Sequence, residues 1–508
     1  MSLSIRNLRL SANWLIVLFA ALFTAGLHLA TAGRYEIMRN ELYFIACGRQ
    51  FAFGYADQPP LVPWISAMTQ AAGLNAWLLR LPATIAAVAL VPLCGILARQ
   101  AGGNRLAMAI AAFAAATAPA LAAVTTTLTT ATFEPLCWTA IAFFITRAVL
   151  REDRRAMLWA GAIVGISMEA KYGVVMWVVP MAIGILVTPA RAILHWRETW
   201  IGALLAAAIA APSLIWQAAH DWPFLEIIGN HSQGDLTGDP LRFMVGQILA
   251  LNPVLAPLWL AGVAAPFFAA ALKPVRFLAI AFLGAAVIDI ATGGKDYYLF
   301  GAYPAMFAVG AAACGALWVW LAGTWLTVGL ANFLLVAPIV FPLLPPARLF
   351  YLLEHSHLRP PPDEKAAIGA PLTQVFSDEL GWRSLEQRVA VIWERLPASD
   401  RQGAAIFAGN YGEAAAIDVY GRKDRLPLAI SGDNQYYLWG PRGHDGRVVI
   451  VVNGDPAFWR MHCANLRQVA TFGVPLAMPY ERDRPIMICR DLKGGLASMW
   501  PALKRFGA

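Results

Sequence analysis

Two carboxylates set among aromatic residues are the first groups in this chain able to do chemistry. Arg39-Asn40-Glu41-Leu42-Tyr43-Phe44 is closely followed by Phe53-Gly54-Tyr55-Ala56-Asp57-Gln58-Pro59-Pro60. Carboxylates accept sugar hydroxyls or the proton of an attacking hydroxyl, and aromatic faces stack on the apolar faces of sugars. Glu41 and Asp57 are therefore candidate catalytic groups, with Asn40, Tyr43 and Tyr55 as candidate substrate contacts. The same segment also fits a belt of interfacial aromatics with solvated charges.

Further polar residues stand where apolar composition does not explain them. Glu134 follows the threonine-rich stretch Thr125–Thr130 and precedes Pro135 at the head of an apolar run. It reads either as a third catalytic or orienting acid or as an acid in a helix's first turn. Lys171-Tyr172 and Lys295-Asp296-Tyr297-Tyr298 each set a lysine beside tyrosine at the end of an apolar run. Together with Arg80 these lysines could clamp a lipid-borne phosphate, or each could snorkel to the interface. Tyr172, Tyr297 and Tyr298 join the substrate contacts. Trp216…His220-Asp221-Trp222-Pro223, continuing to His231 and Asp235, could bind sugar, or a divalent metal ion through the imidazole. Asp57 is the other residue to which such an ion could fall, and no other cofactor is suggested.

The elements that must position these groups are membrane spans. Of 508 residues 59% are hydrophobic and 14% charged, with a mean hydropathy of +0.56, which excludes a soluble multidomain protein and a disordered chain. The charge is uneven, about 10% of residues 1–344 and about 23% of residues 345–508. A net charge of +8 spread over both parts does not suggest nucleic acid as a partner. Apolar runs at 14–32, 81–98, 106–123, 133–149, 156–169, 173–189, 199–216, 246–271, 277–292, 299–319 and 323–343 predict about eleven spans. The first follows Arg6 and Arg9, is too long for a signal peptide, and reads as a retained span.

With the N-terminus cytoplasmic, Arg99, Arg105, Arg151, Arg154, Arg155, Arg191, Arg197, Lys273 and Arg276 fall in inside loops, as the positive-inside rule requires. The long loops 33–80 and 217–245 then face outward, and an odd span count sends 345–508 into the periplasm of a bacterial inner membrane. The stretch 156–189 reads as two passes turning at Met168–Tyr172. Beyond Pro342, Pro345 and Pro346, residues 345–508 alternate apolar runs at 404–407 and 448–452 with helix-like segments at 376–396 and 456–470. This is an α/β pattern. Cys463 and Cys489 share that domain, where an oxidising compartment makes a disulfide between them plausible beside the alternative of two buried thiols.

The order of these motifs resembles bacterial glycosyltransferase family 39, relatives of protein O-mannosyltransferases and of the lipid A aminoarabinose transferase. The resemblance rests on Glu41-Leu42-Tyr43, Gly54-Tyr55…Asp57-Gln58-Pro59-Pro60, Arg80-Leu81-Pro82, His220-Asp221-Trp222-Pro223 and Lys295-Asp296-Tyr297-Tyr298. In the last third it rests on Asn410-Tyr411-Gly412-Glu413-Ala414 and Tyr436-Tyr437-Leu438-Trp439-Gly440. It implies a GT-C fold and inverting sugar transfer from a polyprenyl-phosphate donor to an envelope lipid, glycan or protein. It also implies a catalytic carboxylate where this chain has Asn40, and an amide cannot act as a base. Glu41 or Asp57 would take over that role, or the chain is a weak or inactive member. A transporter of lipid-linked sugar is the alternative from another class.

Overall fold

The computed structural model describes residues 12–231, 239–314, 319–356, 358–360 and 365–507. Arg6, Arg9 and Asp235 lie outside the described residues. In their described residues the apolar runs expected to span the membrane are largely helical. The helices are α1 (Ala12–Thr31), α2 (Arg39–Gly48), α3 (Leu61–Thr69), α4 (Ala76–Gln100), α5 (Arg105–Ala116), α6 (Pro119–Ala123), α7 (Glu134–Arg151) and α8 (Arg155–Ala170). They continue with α9 (Val175–Leu186), α10 (Arg197–Ala219), α11 (Pro223–His231), α12 (Pro240–Ala250), α13 (Ala256–Phe268), α14 (Arg276–Thr292), α15 (Tyr303–Ala313) and α16 (Val319–Val340).

Among the described residues six helices are long and apolar enough to cross a bilayer alone, or up to eight spans if each of two bent pairs counts as one. This is fewer than the eleven runs counted from sequence, because several runs form short or broken helices. Proline and asparagine cause the breaks. Pro189 opens a 3-10 turn that leaves α9 at 102°, and Asn252-Pro253 divides α12 from α13 at 98°. Proline cannot donate to the preceding turn. Asn252, at φ 74°, instead caps the next turn and gives its amide to the carbonyls of Thr117 and Gly329. The run 156–189 does break at Lys171, whose backbone is extended. On either side α8 packs on α10 and α9 on α14. At the α8–α10 crossing Gly161 faces the backbone of Gly202 so closely that a Cβ has no room. Small residues let the two backbones meet where lipid supplies no hydrophobic drive.

The last third carries a four-stranded sheet of β1 (Ala405–Ala408), β2 (Val448–Val452), β3 (Cys463–Phe472) and β4 (Arg484–Leu492), in the order β1-β2-β4-β3. β1 pairs parallel with β2, and the other pairs are antiparallel, with Ile450 opposite Ile488 and Leu466 opposite Cys489. Both faces of β1 and β2 are covered, so every residue in them is buried. That is why they read as continuous apolar runs. The helix expected over 456–470 stops at His462, and the chain turns into β3, an edge strand pairing along β4. A disulfide joins Cys463 to Cys489.

The long loop expected over 33–80 contains α2 and α3. Its α2 is buried from Glu41 to Gly48 and packs on the helix Tyr411–Tyr420. One apolar core runs through Ile37, Leu42, Ile45, Leu385, Val389, Ile406, Ile417 and Ile450. The first connection after α1 and the last third of the chain therefore fold together.

Candidate functional site

Helix α2 sets the first group of candidate residues. Glu41 is fully buried and accepts five hydrogen bonds from three residues. Arg80 donates from Nε at 3.0 and 3.2 Å and from Nη2 at 2.7 Å, the Leu128 amide donates at 2.9 Å, and the Met38 amide donates at 3.0 Å. Arg80 is 2% exposed. Its other donors go to the carbonyls of Ala32 and Glu36, and Glu379 of the last third lies at 3.4 Å. Four of its five N–H groups are engaged in this way, so the enclosed guanidinium is held mainly by the protein. The arginine grouped from sequence with Lys171 and Lys295 is thus already paired with Glu41. Glu41 likewise serves as the pin that ties α2 to α4 and to the segment leading into α7.

Asp57, by contrast, keeps an accessible edge. The Tyr43 hydroxyl donates to its Oδ1 at 2.8 Å, and the Asn434 amide donates to Oδ2 at 3.3 Å. The Gln435 amide in turn donates to the Tyr43 oxygen at 3.1 Å, which fixes the hydroxyl's direction. Burial pushes the Asp57 carboxyl up to about 6 against the lowering effect of those hydrogen bonds. Asn40 stands in the same wall, where its side-chain oxygen accepts from the Tyr411 hydroxyl at 2.8 Å, and the Tyr43 and Tyr411 rings lie 4.7 Å apart. Asp433, 2% exposed, accepts the Tyr411 amide at 3.0 Å, and burial holds its carboxyl up to about 7.

Tyr411, Asp433, Asn434 and Gln435 were missed as site residues by sequence reasoning. Tyr411 lies within the Asn410–Ala414 motif and the other three immediately precede the Tyr436–Gly440 motif, but nothing in the chain indicates that they face residues almost four hundred positions earlier.

A second cluster forms at the ends of α7 and α8. The Lys171 ammonium donates to Glu134 Oε2 at 2.9 Å and lies over the ring faces of Tyr297 at 5.0 Å and Tyr298 at 4.7 Å. The extended backbone of Lys171 turns its side chain away from the axis of α8, and Gly173 keeps the approach open. A Cβ at Gly173 would come 2.8 Å from Glu134 Oε1. Lys295 is buried two residues before the first of these rings. Asp289, buried at the end of α14, is within electrostatic range of Lys171, Glu134 and Asp296.

The remaining candidates are supports or surface groups. Tyr55 is buried, donating to the carbonyls of Cys47 and Gln50, and its own carbonyl accepts from Gln217 at the end of α10. Tyr172 is buried edge-to-face against Phe224. His220 and Asp221 are exposed. His220 stacks on Trp216 and directs Nδ1 to its carbonyl, and Asp221 has φ 62°. Among the described residues no group of three or more His, Cys, Asp and Glu side chains is arranged to hold a metal ion. Asp57 and His220, the two residues considered for a metal ion, each have other hydrogen-bond partners.

Residues 57–216, which begin at Asp57 and include Arg80, Glu134 and Lys171, match the family described as dolichyl-phosphate-mannose-protein mannosyltransferase. ArnT from Cupriavidus metallidurans in the apo state is similar over 94% of this chain and 98% of its own, at 14% identity and a TM-score of 0.63. The same protein bound to undecaprenyl phosphate is similar over the same shares, at 13% identity and a TM-score of 0.61. This chain has the GT-C fold. No curated protein matches it by sequence.

Proposed function

We propose that this protein is a polytopic membrane glycosyltransferase that moves a sugar from a polyprenyl-phosphate donor to an envelope acceptor, whether lipid, glycan or protein. Residues 1–344 are the membrane unit and residues 345–508 the outward unit, with transfer at the periplasmic face of the inner membrane. The observation that carries this reading is Lys171, a cation held by Glu134 and two tyrosine faces at the outer end of the bundle. A cation there stabilises the charge that grows on a departing phosphate.

An apolar groove of about 480 Å³, lined by Met68, Leu81, Ile85 and Phe133 among others, opens beside the residue preceding Glu134 and suits a prenyl chain. Resemblance in fold to ArnT, which binds undecaprenyl phosphate, supports the donor class. In the proposed step an acceptor oxygen attacks the anomeric carbon and the carbon–oxygen bond to phosphate breaks. The electron pair leaves with the polyprenyl phosphate, and the acceptor proton passes to Asp57. Attack opposite the leaving group inverts the anomeric centre. Phosphate is a good leaving group, so no general acid is required. Glu134 orients Lys171 or the acceptor, Tyr297 and Tyr298 shape the donor side, and Asn40 and Tyr43 contact the substrate. Glu41 and Arg80 act only through the position of α2.

The test is transfer by the purified protein from radiolabelled polyprenyl-phosphate sugars to an envelope extract. Lys171→Ala should cost about 10²–10³-fold in rate with folding retained. Full activity in Lys171→Ala and Asp57→Asn together would overturn the reading. So would movement of the donor across vesicles without its cleavage.

A further inference from the structure

A pocket of about 350 Å³ lies between the outer ends of α1 and α4 and the start of the last third. Arg34, Glu36, Leu74, Pro346, Leu380 and Arg383 are among its lining residues. None of the groups placed in the transfer step lines it. Arg34 gives Nε to the Ala30 carbonyl at 3.1 Å and Nη1 to the Leu343 carbonyl at 2.9 Å, so its side chain is directed while Nη2 has no hydrogen-bond partner among the described residues. The Arg383 guanidinium lies 4.6 Å from the centre of the Tyr420 ring and makes no hydrogen bond among the described residues. Glu36 faces the same space, but its Oε2 accepts the Arg383 amide at 3.1 Å. Two guanidiniums and one carboxylate leave a single net positive charge. Arginine donors match phosphate oxygens in geometry as well as charge.

The depth of the pocket decides what kind of phosphate it would meet. α1 ends at Thr31 and α4 begins at Ala76, so the pocket sits where two apolar spans leave the hydrocarbon. Leu74 and Trp77 are exposed beside it. We propose that this pocket holds the phosphodiester head group of an anionic membrane lipid, with its acyl chains along Leu74 and Trp77. A diester carries one negative charge, which matches the single positive charge of the pocket. The site would fasten the junction of α1, α4 and the helix Pro346–His355 to the bilayer surface.

The experiment is native mass spectrometry of the full-length, delipidated protein titrated with phosphatidylglycerol or phosphatidylcholine. The wild type should retain phosphatidylglycerol selectively. Arg383→Gln should weaken retention roughly five-fold, and the double variant Arg34→Gln/Arg383→Gln roughly twenty-five-fold. Arg348→Gln, on the neighbouring helix and outside the pocket, should leave it unchanged. Arg34→Lys/Arg383→Lys, which keeps the charge but not the fork of donors, should retain more selectivity than the double glutamine variant, which separates charge from packing. Because Arg34 also ties to Leu343, Arg383→Gln alone suffices if the double variant fails to fold. Equal retention of the two lipids by the wild type, or unchanged retention in Arg383→Gln, would overturn the proposal. Displacement of phosphatidylglycerol by millimolar inorganic phosphate would assign the pocket to a soluble anion and overturn it as well. The readout is independent of sugar transfer, so its failure leaves the glycosyltransferase reading intact, and the converse holds.

Discussion

The two acids of the first connection differ through their partners rather than their chemistry. Glu41 meets a guanidinium and two amides and has no free lone pair aimed outward, whereas Asp57 meets only a hydroxyl and an amide group. The pH profile of transfer tests that contrast. Asp57 must be ionised to take a proton, and burial raises its carboxyl from 3.8 to about 6. Activity should therefore climb about tenfold per pH unit below 6 and level off above it. Asn434→Ala removes one of the hydrogen bonds that favour the carboxylate and should move the midpoint upward. A flat profile from pH 5 to pH 8 would remove Asp57 from the step. The Lys171 cluster needs no such tuning. Glu134→Gln keeps the shape and removes the charge beside the ammonium, and a loss of at least tenfold in rate is expected from a radiolabel-transfer assay.

Among the elements, α2 depends most on distant parts of the chain. Its polar pin is the buried pair Glu41–Arg80, and removing one partner of such a pair strands the other charge at a cost of about 3–5 kcal/mol. Arg80→Met should thus lower the thermal unfolding midpoint in detergent more than Glu41→Gln/Arg80→Met does. Glu379 shares the same arginine from 3.4 Å, but burial outweighs that attraction and holds its carboxyl up to about 8.

The sign of the resulting pH effect follows from linkage. The folded state binds the Glu379 proton more tightly than the unfolded state, whose carboxyl titrates near 4.5. The stabilisation is complete below about pH 4.5, shrinks as pH rises, and is gone above about pH 8. Glu379→Gln, which imitates the protonated group, should flatten the fall in stability between pH 5 and pH 8 when unfolding is followed by intrinsic fluorescence. An unchanged slope would remove Glu379 as its source.

At the scale of the whole molecule, the helical core and the sheet region are not separable at residue 344. The apolar face of α2 is covered by the helix Tyr411–Tyr420 and by Leu385 and Val389, so a chain stopped at residue 344 would expose Leu42, Phe44 and Ile45. Such a truncation should yield an α2 cut readily by protease in detergent and no transfer activity, and the separately expressed 345–508 segment should not restore full activity at micromolar concentration. Prompt complementation would show two independent units.

Much of this organisation was legible from the residues. Hydropathy located the helical runs because a bilayer selects composition along each segment, and the break at Lys171 and the buried strands at 405–408 and 448–452 were marked by local pattern. The helix expected at 456–470 failed because β3 gains its order from pairing with β4, a contact no local period announces. Among the described residues fewer helices than apolar runs are long enough to cross a bilayer unbroken, because proline and asparagine break runs that hydropathy alone treats as continuous. Glu41 and Arg80 could be recognised as unusual but not as partners of each other, since polarity near a membrane looks the same whether a group faces substrate or another side chain. What the sequence alone determined was the membrane class, the inventory of rare polar residues and the motif order that resembles the GT-C enzymes. Only the tertiary structure decided which of those residues are pins and which remain open, because that depends on residues almost four hundred positions apart meeting across one buried core.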